Sequence, residues 1–321
     1  MKRCTNCILP HNYPGITFNE SGSCNHCIAH RERKYLGNDA LKETIGSFLK
    51  RKKDRNKDYD CILGLSGGRD SSYLLYYLVK VLNLKVLAYS ADNGFIPEQT
   101  KLNMKNMSNI LNVKLQIEEH EHVIKCIKHQ MLSWMRKPSP AMVGMLCMGC
   151  KYGIDLGLLS FARKNKIPII IRGGTPFEGQ GYKVKMMKLN PNSKSKYSFI
   201  AGCLYQIIRN PQWVLNSTCL LAQFKEYYYH YQGKATKTKE LLYIAPYYFH
   251  KRWEEKEVIS TLENELNWKR NPDTESTWRG DCDIALLKSY LYKKCLGFND
   301  KDDGLSSLIR DKQITRQEAL V

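Results

Sequence analysis

Ser66-Gly67-Gly68-Arg69-Asp70-Ser71-Ser72 stands between an apolar run, Asp60 to Leu65, and an amphipathic one, Ser71 to Leu82. A glycine-rich turn that leaves a strand and enters a helix lets the backbone approach an anion closely. It also aims the first helical amides, and the positive end of their dipole, at that anion. The string has neither the Lys of the Walker loop nor the glycine spacing of G-x-G-x-x-G, so it is a different kind of phosphate cradle. The pattern around it alternates. Asp60 to Leu65 reads as a strand, Ser71 to Leu82 as a helix, Lys85 to Ser90 as a strand and Pro97 to Leu111 as a helix. Val113 to Ile117 reads as a strand, Val123 to Met135 as a helix and Ile167 to Ile171 as a β-branched strand. This predicts an α/β fold, a parallel sheet with helices on both faces, whose ligands bind beyond the C-terminal ends of the strands.

Upstream, Cys4, Cys7, Cys24 and Cys27 form C-x2-C-x16-C-x2-C. Two knuckles of two thiolates close a tetrahedral site with no position left for water, which is structural zinc chemistry, and about thirty residues cannot order themselves without such help. The chain therefore divides into a zinc-ribbon-like segment (1–30), a basic connector or helix (31–57), an α/β domain (58–182) and a mainly helical substrate or association region (183–321). In the last region the alternation is lost and aromatic segments appear, Tyr227 to Tyr231 and Tyr243 to Phe249. These rings can stack on a sugar or base, or simply pack amphipathically.

Among the 321 residues, 50 Lys and Arg oppose 31 Asp and Glu, a net charge of +19 that attracts nucleotides, nucleic acid or anionic lipid alike. No run reaches the eighteen apolar residues of a membrane span and no signal peptide opens the chain, so a cytoplasmic protein without a membrane partner is expected. Twelve cysteines in such a chain suggest metal or redox chemistry before disulfides.

The string Ser66 to Ser72, placed after a strand, resembles the pyrophosphate loop of the N-type ATP pyrophosphatases, or PP-loop enzymes. The resemblance implies cleavage of ATP between its α- and β-phosphates, adenylation of a substrate oxygen, and displacement of AMP by a nitrogen or sulfur nucleophile. Matched to the motif, Ser66, Gly67, Gly68, Arg69, Ser71 and Ser72 bind pyrophosphate, and Asp70 places Mg2+. Asp92, in Asp92-Asn93-Gly94, falls where such enzymes hold adenosine, although Asp-Asn-Gly is equally a plain turn.

A narrower resemblance spans most of the chain. Cys4-Thr5-Asn6-Cys7-Ile8-Leu9-Pro10, Pro14 to Phe18, the loop, Arg172-Gly173-Gly174-Thr175-Pro176-Phe177-Glu178-Gly179 and Ile309 to Leu320 are similar to the bacterial N-acetyl sugar amidotransferases. That family implies conversion of a sugar's acetamido group, on a nucleotide carrier, to acetamidino at the expense of ATP and ammonia, in lipopolysaccharide or flagellar sugar synthesis. Arg172 to Thr175 would form a substrate or nucleotide loop, and Glu178 would steer ammonia or accept its proton; a mobile glycine loop with an exposed Glu is the alternative. The resemblance also implies a separate pair, like a glutaminase and a cyclase, that supplies ammonia. Consistent with this, Lys2 after Met1 does not suit an N-terminal-nucleophile glutaminase, and Gly280-Asp281-Cys282-Asp283-Ile284 lacks the second glycine of a nucleophile elbow.

Cys147-Met148-Gly149-Cys150 is a second C-x-x-C. Similar pairs occur in tRNA-thiolating PP-loop enzymes, where a distant third cysteine helps hold an iron–sulfur cluster. Cys147 and Cys150 with Cys282 are thus candidates for such a cluster or a second zinc, or are ordinary thiols. Together with the basic charge they sustain a rival expectation, a tRNA sulfurtransferase, and only in that case a nucleic-acid partner.

Overall fold

The computed structural model describes residues 2–178, 181–193, 195–215, 241–274 and 277–320; Gly179 and the tyrosine run Tyr227 to Tyr231 lie outside them. A four-residue helix, α1 (Asn25–Ile28), closes the ribbon and α2 (Gly37–Arg51) fills the basic connector. Then come β1 (Cys61–Gly64), α3 (Arg69–Tyr76) with a π turn at Tyr77–Val81, β2 (Val86–Asp92), α4 (Glu98–Ile110) and β3 (Lys114–Glu119). They are followed by α5 (Glu121–Arg136), α6 (Pro140–Val143), α7 (Met148–Lys164) and β4 (Ile169–Arg172). The remainder comprises α8 (Gly181–Met187), α9 (Lys196–Arg209), a 3-10 turn (Pro211–Trp213), β5 (Leu242–Ile244), α10 (Pro246–Phe249), α11 (Glu255–Leu266), α12 (Asp283–Leu296) and α13 (Asp300–Arg310).

The five strands pair in the order β3-β2-β1-β4-β5, all parallel. The first strand in sequence lies at the centre. The chain builds outward on one side through β2 and β3, then crosses back to add β4 on the other. The crevice where the order reverses lies between β1 and β4, and it receives both Ser66 to Ser72 and Arg172 to Thr175. The inner strands β1, β2 and β4 bury both faces, as covered parallel strands do. Leu63, Ala88, Ile169 and Ile171 pack with α2, α3, α4 and α11, while Ile62, Leu87, Tyr89 and Ile170 meet Leu158, Leu159 and Ala162 of α7. Each such aliphatic side chain contributes about 1.5–3 kcal/mol by leaving water.

β5 was not foreseen. Three residues give no periodicity, and Leu242 to Ile244 becomes a strand only because Ile169 to Ile171 offers a free edge. The region after Lys183 is otherwise mostly helical, as expected.

A third apolar cluster joins the ribbon to the body. Leu9 and Tyr13 pack with Val143, Tyr182, Tyr292 and Phe298, so the small segment borrows a core it cannot build. α9 lies so close to α8 that a Cβ at Gly202 would collide with the Met187 carbonyl. Gly202→Ala should therefore cost about 1–3 kcal/mol through overpacking, visible as a lowered thermal midpoint with the far-UV spectrum retained.

Candidate active site and metal centre

The loop Ser66 to Ser72 has the conformation of an anion cradle. Gly67 adopts φ 78°, and a Cβ there would come within 2.5 Å of Thr100 Cγ2, so the position excludes a side chain. Gly68 is the N-cap of α3, and no side chain caps the helix. Ser66 and Ser71 hydroxyls hydrogen-bond each other at 3.1 Å, and the Gly68 amide donates to Ser66 Oγ at 3.3 Å. The Ser72 hydroxyl is buried with no partner among the described residues. Uncapped amides and an orphaned buried donor fit phosphate oxygens.

Arg69 is buried against the C-terminal region. Its guanidinium lies between the rings of Trp253 and Trp278, 5.0 and 4.4 Å from their centroids, and pairs with Glu255 while donating to Thr277 Oγ1 at 2.6 Å. Its Nε also pairs with Asp70 Oδ1 at 3.5 Å, so it anchors the loop and the helix end to the C-terminal region. Asp70 accepts from Trp253 Nε1 at 2.8 Å, and its carbonyl accepts from Tyr247 at 3.0 Å. Burial raises the Asp70 carboxyl to about 7, against the opposing pull of Arg69 and with added repulsion from Glu178 and Asp281.

The second glycine loop lies directly against the first, for a Cβ on Gly173 would come within 2.8 Å of Ser71 Cα. Arg172 ends β4 but pairs with the buried Asp155 of α7. Thr175 is buried, its hydroxyl accepting from the Phe177 amide and its carbonyl from Tyr248. Glu178 lies within electrostatic reach of Asp70, Arg279 and Asp281, and burial raises its carboxyl. Asp92 caps the turn beyond β2, accepting from the Gly94 amide at 2.8 Å and pairing with Lys101 at 3.1 Å.

Several groups here were not singled out in the sequence. Asp281 sits over the loop, its Oδ2 within 2.8 Å of where a Gly68 Cβ would stand. Arg279, with φ 56°, has a buried Nη2 without a partner among the described residues and faces Glu178, Asp300 and Asp281. Left-handed geometry at a bulky residue is costly and persists only where the surrounding structure holds it. Trp253 and Trp278 complete the loop's housing. Their only sequence signal was the scarcity of Trp, five in the chain.

The four N-terminal cysteines converge. Cys4 and Cys27 sulfurs lie 3.9 Å apart, Cys7 and Cys24 sulfurs 3.8 Å, and all four are within 4.8 Å of one another. A tetrahedron with metal–sulfur bonds of about 2.3 Å has edges of about 3.8 Å, so the set fits one tetrahedral ion such as zinc. The Cys24 amide donates to Cys4 Sγ at 3.2 Å. Hydrogen bonds from Cys24 and Cys27 hold the Cys7 thiol far below its ordinary range, with help from Arg310, whose Nη1 is 3.8 Å from Cys7 Sγ. Arg316 Nε donates to the Cys4 and Cys7 carbonyls at 3.3 and 3.1 Å, so the C-terminal stretch Ile309 to Leu320 packs around the knuckles.

Cys150 and Cys282 meet through Asn93, whose Nδ2 is 3.2 Å from one sulfur and 3.7 Å from the other, and Cys147 joins the same small apolar cluster. Burial pushes the Cys150 thiol up to about 12 and raises Cys282. Among the described residues only the N-terminal four bring three or more ligand atoms within 4.8 Å of one another, so this trio is gathered but not closed.

No family model and no curated protein matches the chain. Solved structures similar to it include the U34-tRNA thiolase NcsA from Methanococcus maripaludis, determined with its 4Fe–4S cluster. It is 14% identical, with 98% of this chain and 87% of that chain covered at TM-score 0.36. NMN synthetase from Francisella tularensis is 11% identical over 86% and 93%, at TM-score 0.37. The NH3-dependent NAD synthetase from Campylobacter jejuni is 15% identical over 71% and 93%, at TM-score 0.32. At such values these likenesses settle neither a family nor a substrate.

Cys24→Ser should release about one equivalent of metal and expose the ribbon to protease, because binding energy at a closed site is folding energy; metal analysis before and after the substitution checks this. Asp70 gives a pH test. In the unfolded chain it ionises near 3.8 and in the folded chain near 7. Its contribution is thus fully present at low pH and is lost as pH rises through about 7. Asp70→Asn should remove that part of the slope, on the order of 2 kcal/mol, in denaturant titrations at pH 5 and 8 without nucleotide.

Proposed function

We propose that the chain is an ATP-dependent amidotransferase that converts the acetamido group of a nucleotide-linked sugar to acetamidino in surface polysaccharide synthesis. The observation that carries its ATP chemistry is the uncapped N-terminus of α3, with the buried Ser72 hydroxyl beside it, at the crevice between β1 and β4. The sugar rests on the sequence resemblance of the cysteine knuckles, both glycine loops and the C-terminal stretch.

In this reading the amide oxygen attacks the α-phosphorus of ATP. The bond to the β-phosphate oxygen breaks and pyrophosphate leaves into the cradle of Ser66, Gly67, Gly68, Ser71 and Ser72. An amide oxygen is a poor leaving group, and adenylation lets it depart as AMP. Ammonia adds to the activated carbon, a proton passes to a base, and AMP leaves with the former amide oxygen. Glu178, its carboxyl raised by burial, is the candidate base. Asp70, with Asp281 beside Gly68, would hold the Mg2+ that offsets the pyrophosphate charge. Arg172, Gly173, Gly174 and Thr175 would border the substrate, and Asp92 the adenosine. Ammonia would come from a separate glutaminase and cyclase-like pair.

A second reading, a tRNA sulfurtransferase with an iron–sulfur cluster on Cys147, Cys150 and Cys282, is favoured by the meeting of Cys150 and Cys282 at Asn93 beyond β2. One experiment separates the two. The protein is incubated with ATP, Mg2+, ammonium and nucleotide-linked N-acetyl sugars, or with ATP, a sulfide donor and tRNA, and the products are weighed by mass spectrometry. Amidine formation lowers the sugar's mass by about one unit, the O-to-NH exchange of the reaction class inferred from the site. Without the supplying pair it should use ammonium increasingly well toward pH ~9, and not glutamine. Asp70→Asn should fold yet lose pyrophosphate release by about 100-fold or more. Thiolated tRNA with an unchanged sugar would move the assignment to the second reading.

A further inference from the structure

α9 shows water the side it would be expected to hide. Its inner face presents Gly202 and Gln206, the latter buried and bonded to Ser139 Oγ at 2.8 Å. Outward stand Tyr197 (82% exposed), Ile200 (53%), Leu204 (54%), Tyr205 (52%) and Ile208 (79%), at the three- and four-residue spacing of a single helix face. Leu189, 61% exposed, extends the strip, its amide donating to the Ser198 carbonyl. Apolar side chains scattered singly over a surface need no explanation, but an aligned row does.

The sequence stretch that holds the row is charged almost with one sign. From 122 to 225 the sequence holds sixteen Lys or Arg and only two Asp or Glu. Those two, Asp155 and Glu178, are engaged elsewhere, Asp155 buried with Arg172 and Glu178 beside the glycine loops. Lys188 and Lys196 flank the first turn of α9. Arg209 stands at its end, where Arg136 and Lys137 join it because Asn210 Nδ2 holds the Ser133 carbonyl at 2.9 Å. A helix with aliphatic and tyrosyl residues outward and cations at both ends suits the boundary between lipid headgroups and acyl chains. A surface of uniform negative charge would engage Lys188, Lys196, Arg209, Arg136 and Lys137 together, each adding attraction within a Debye length. No helix among the described residues is long and apolar enough to cross a membrane, so the contact would lie on the bilayer.

We propose that α9 docks the protein on an anionic lipid surface, with Tyr197, Ile200, Leu204 and Ile208 entering the interface and Lys196 and Arg209 meeting the headgroups. This replaces the expectation of no membrane partner drawn from the lack of a spanning segment, and it does not depend on the proposed reaction. The test is co-sedimentation of the full chain with phosphatidylcholine vesicles made with and without phosphatidylglycerol, beside the double variant Ile200→Glu/Ile208→Glu and the charge variant Lys196→Glu/Arg209→Glu. Circular dichroism and size-exclusion light scattering verify folding and oligomeric state. The wild type should sediment with phosphatidylglycerol vesicles in a salt-sensitive manner, and each variant should bind about tenfold more weakly while remaining folded. Failure to sediment with phosphatidylglycerol vesicles overturns the proposal, as does undiminished binding by the folded Ile200→Glu/Ile208→Glu protein. A wild-type dimer that this variant splits, with no vesicle binding, would show that a second copy covers the face.

Discussion

The guanidinium of Arg69 holds the architecture together. A cation this deeply withdrawn from water needs a counter-charge and a favourable surface, and it has both in Glu255 and the faces of Trp253 and Trp278. It thereby ties the first residue of α3, and so the orientation of the glycine loop Ser66 to Ser72, to elements nearly two hundred residues later. The same tryptophans extend the connection. Trp253 donates to Asp70 and stacks on Phe177, next to Glu178, while Trp278 presses on Gly304 of α13, where a Cβ would come within 2.5 Å of the indole. Removing this cation would leave Glu255 without its partner and an indole slot unfilled, so the loop would lose its footing.

α13 carries the connection to the four N-terminal cysteines. Asn299 caps it by accepting from the Lys301 and Asp302 amides, while Asp302 accepts in return from the Asn299 amide and pairs with Arg3 at 2.8 Å. Asp300 draws in Lys183 at 3.1 Å and Tyr182 at 2.5 Å, burying a polar knot behind Glu178 and Arg279. Burial lowers Lys183 to about 8, a shift that Asp300 opposes. At its other end Arg310 approaches Cys7. The helix thus spans from the loop's housing to the thiolates as one rigid element of about three turns.

The parts legible in the sequence were those with short-range signatures. Strand-turn-helix alternation predicted the first four strands and α3, α4 and α5, because periodicity reports burial on a defined face, whereas α6 and α7 were not assigned. The spacing of Cys4, Cys7, Cys24 and Cys27 predicted their convergence because a knuckle is a local structure. What escaped depends on distant pairing. β5 is three residues stabilised by a neighbouring edge, and Asp281 and Arg279 lie in a segment without periodicity that reaches the loop only through the folded C-terminal region. Arg69 shows the limit most clearly. Its place in the motif suggested an anion ligand, but the two tryptophans and the Glu255 that its guanidinium meets stand far away in the sequence. The exposed row on α9 was hidden for the opposite reason, since amphipathic spacing records which residues are alike but not which side the body lies on.

The covering of the knuckles by Arg310 and Arg316 has a temporal side. The cysteines at 4–27 are made some three hundred residues before the side chains that shield them, and the last central strand to pair, β4, also precedes those arginines by well over a hundred residues. During synthesis at about 5–20 residues per second the sulfurs therefore spend many seconds uncovered. A metal ion captured in that interval would protect the thiolates from oxidation before the fold can do so, and the closing C-terminal stretch would then seal in whichever ion had arrived first.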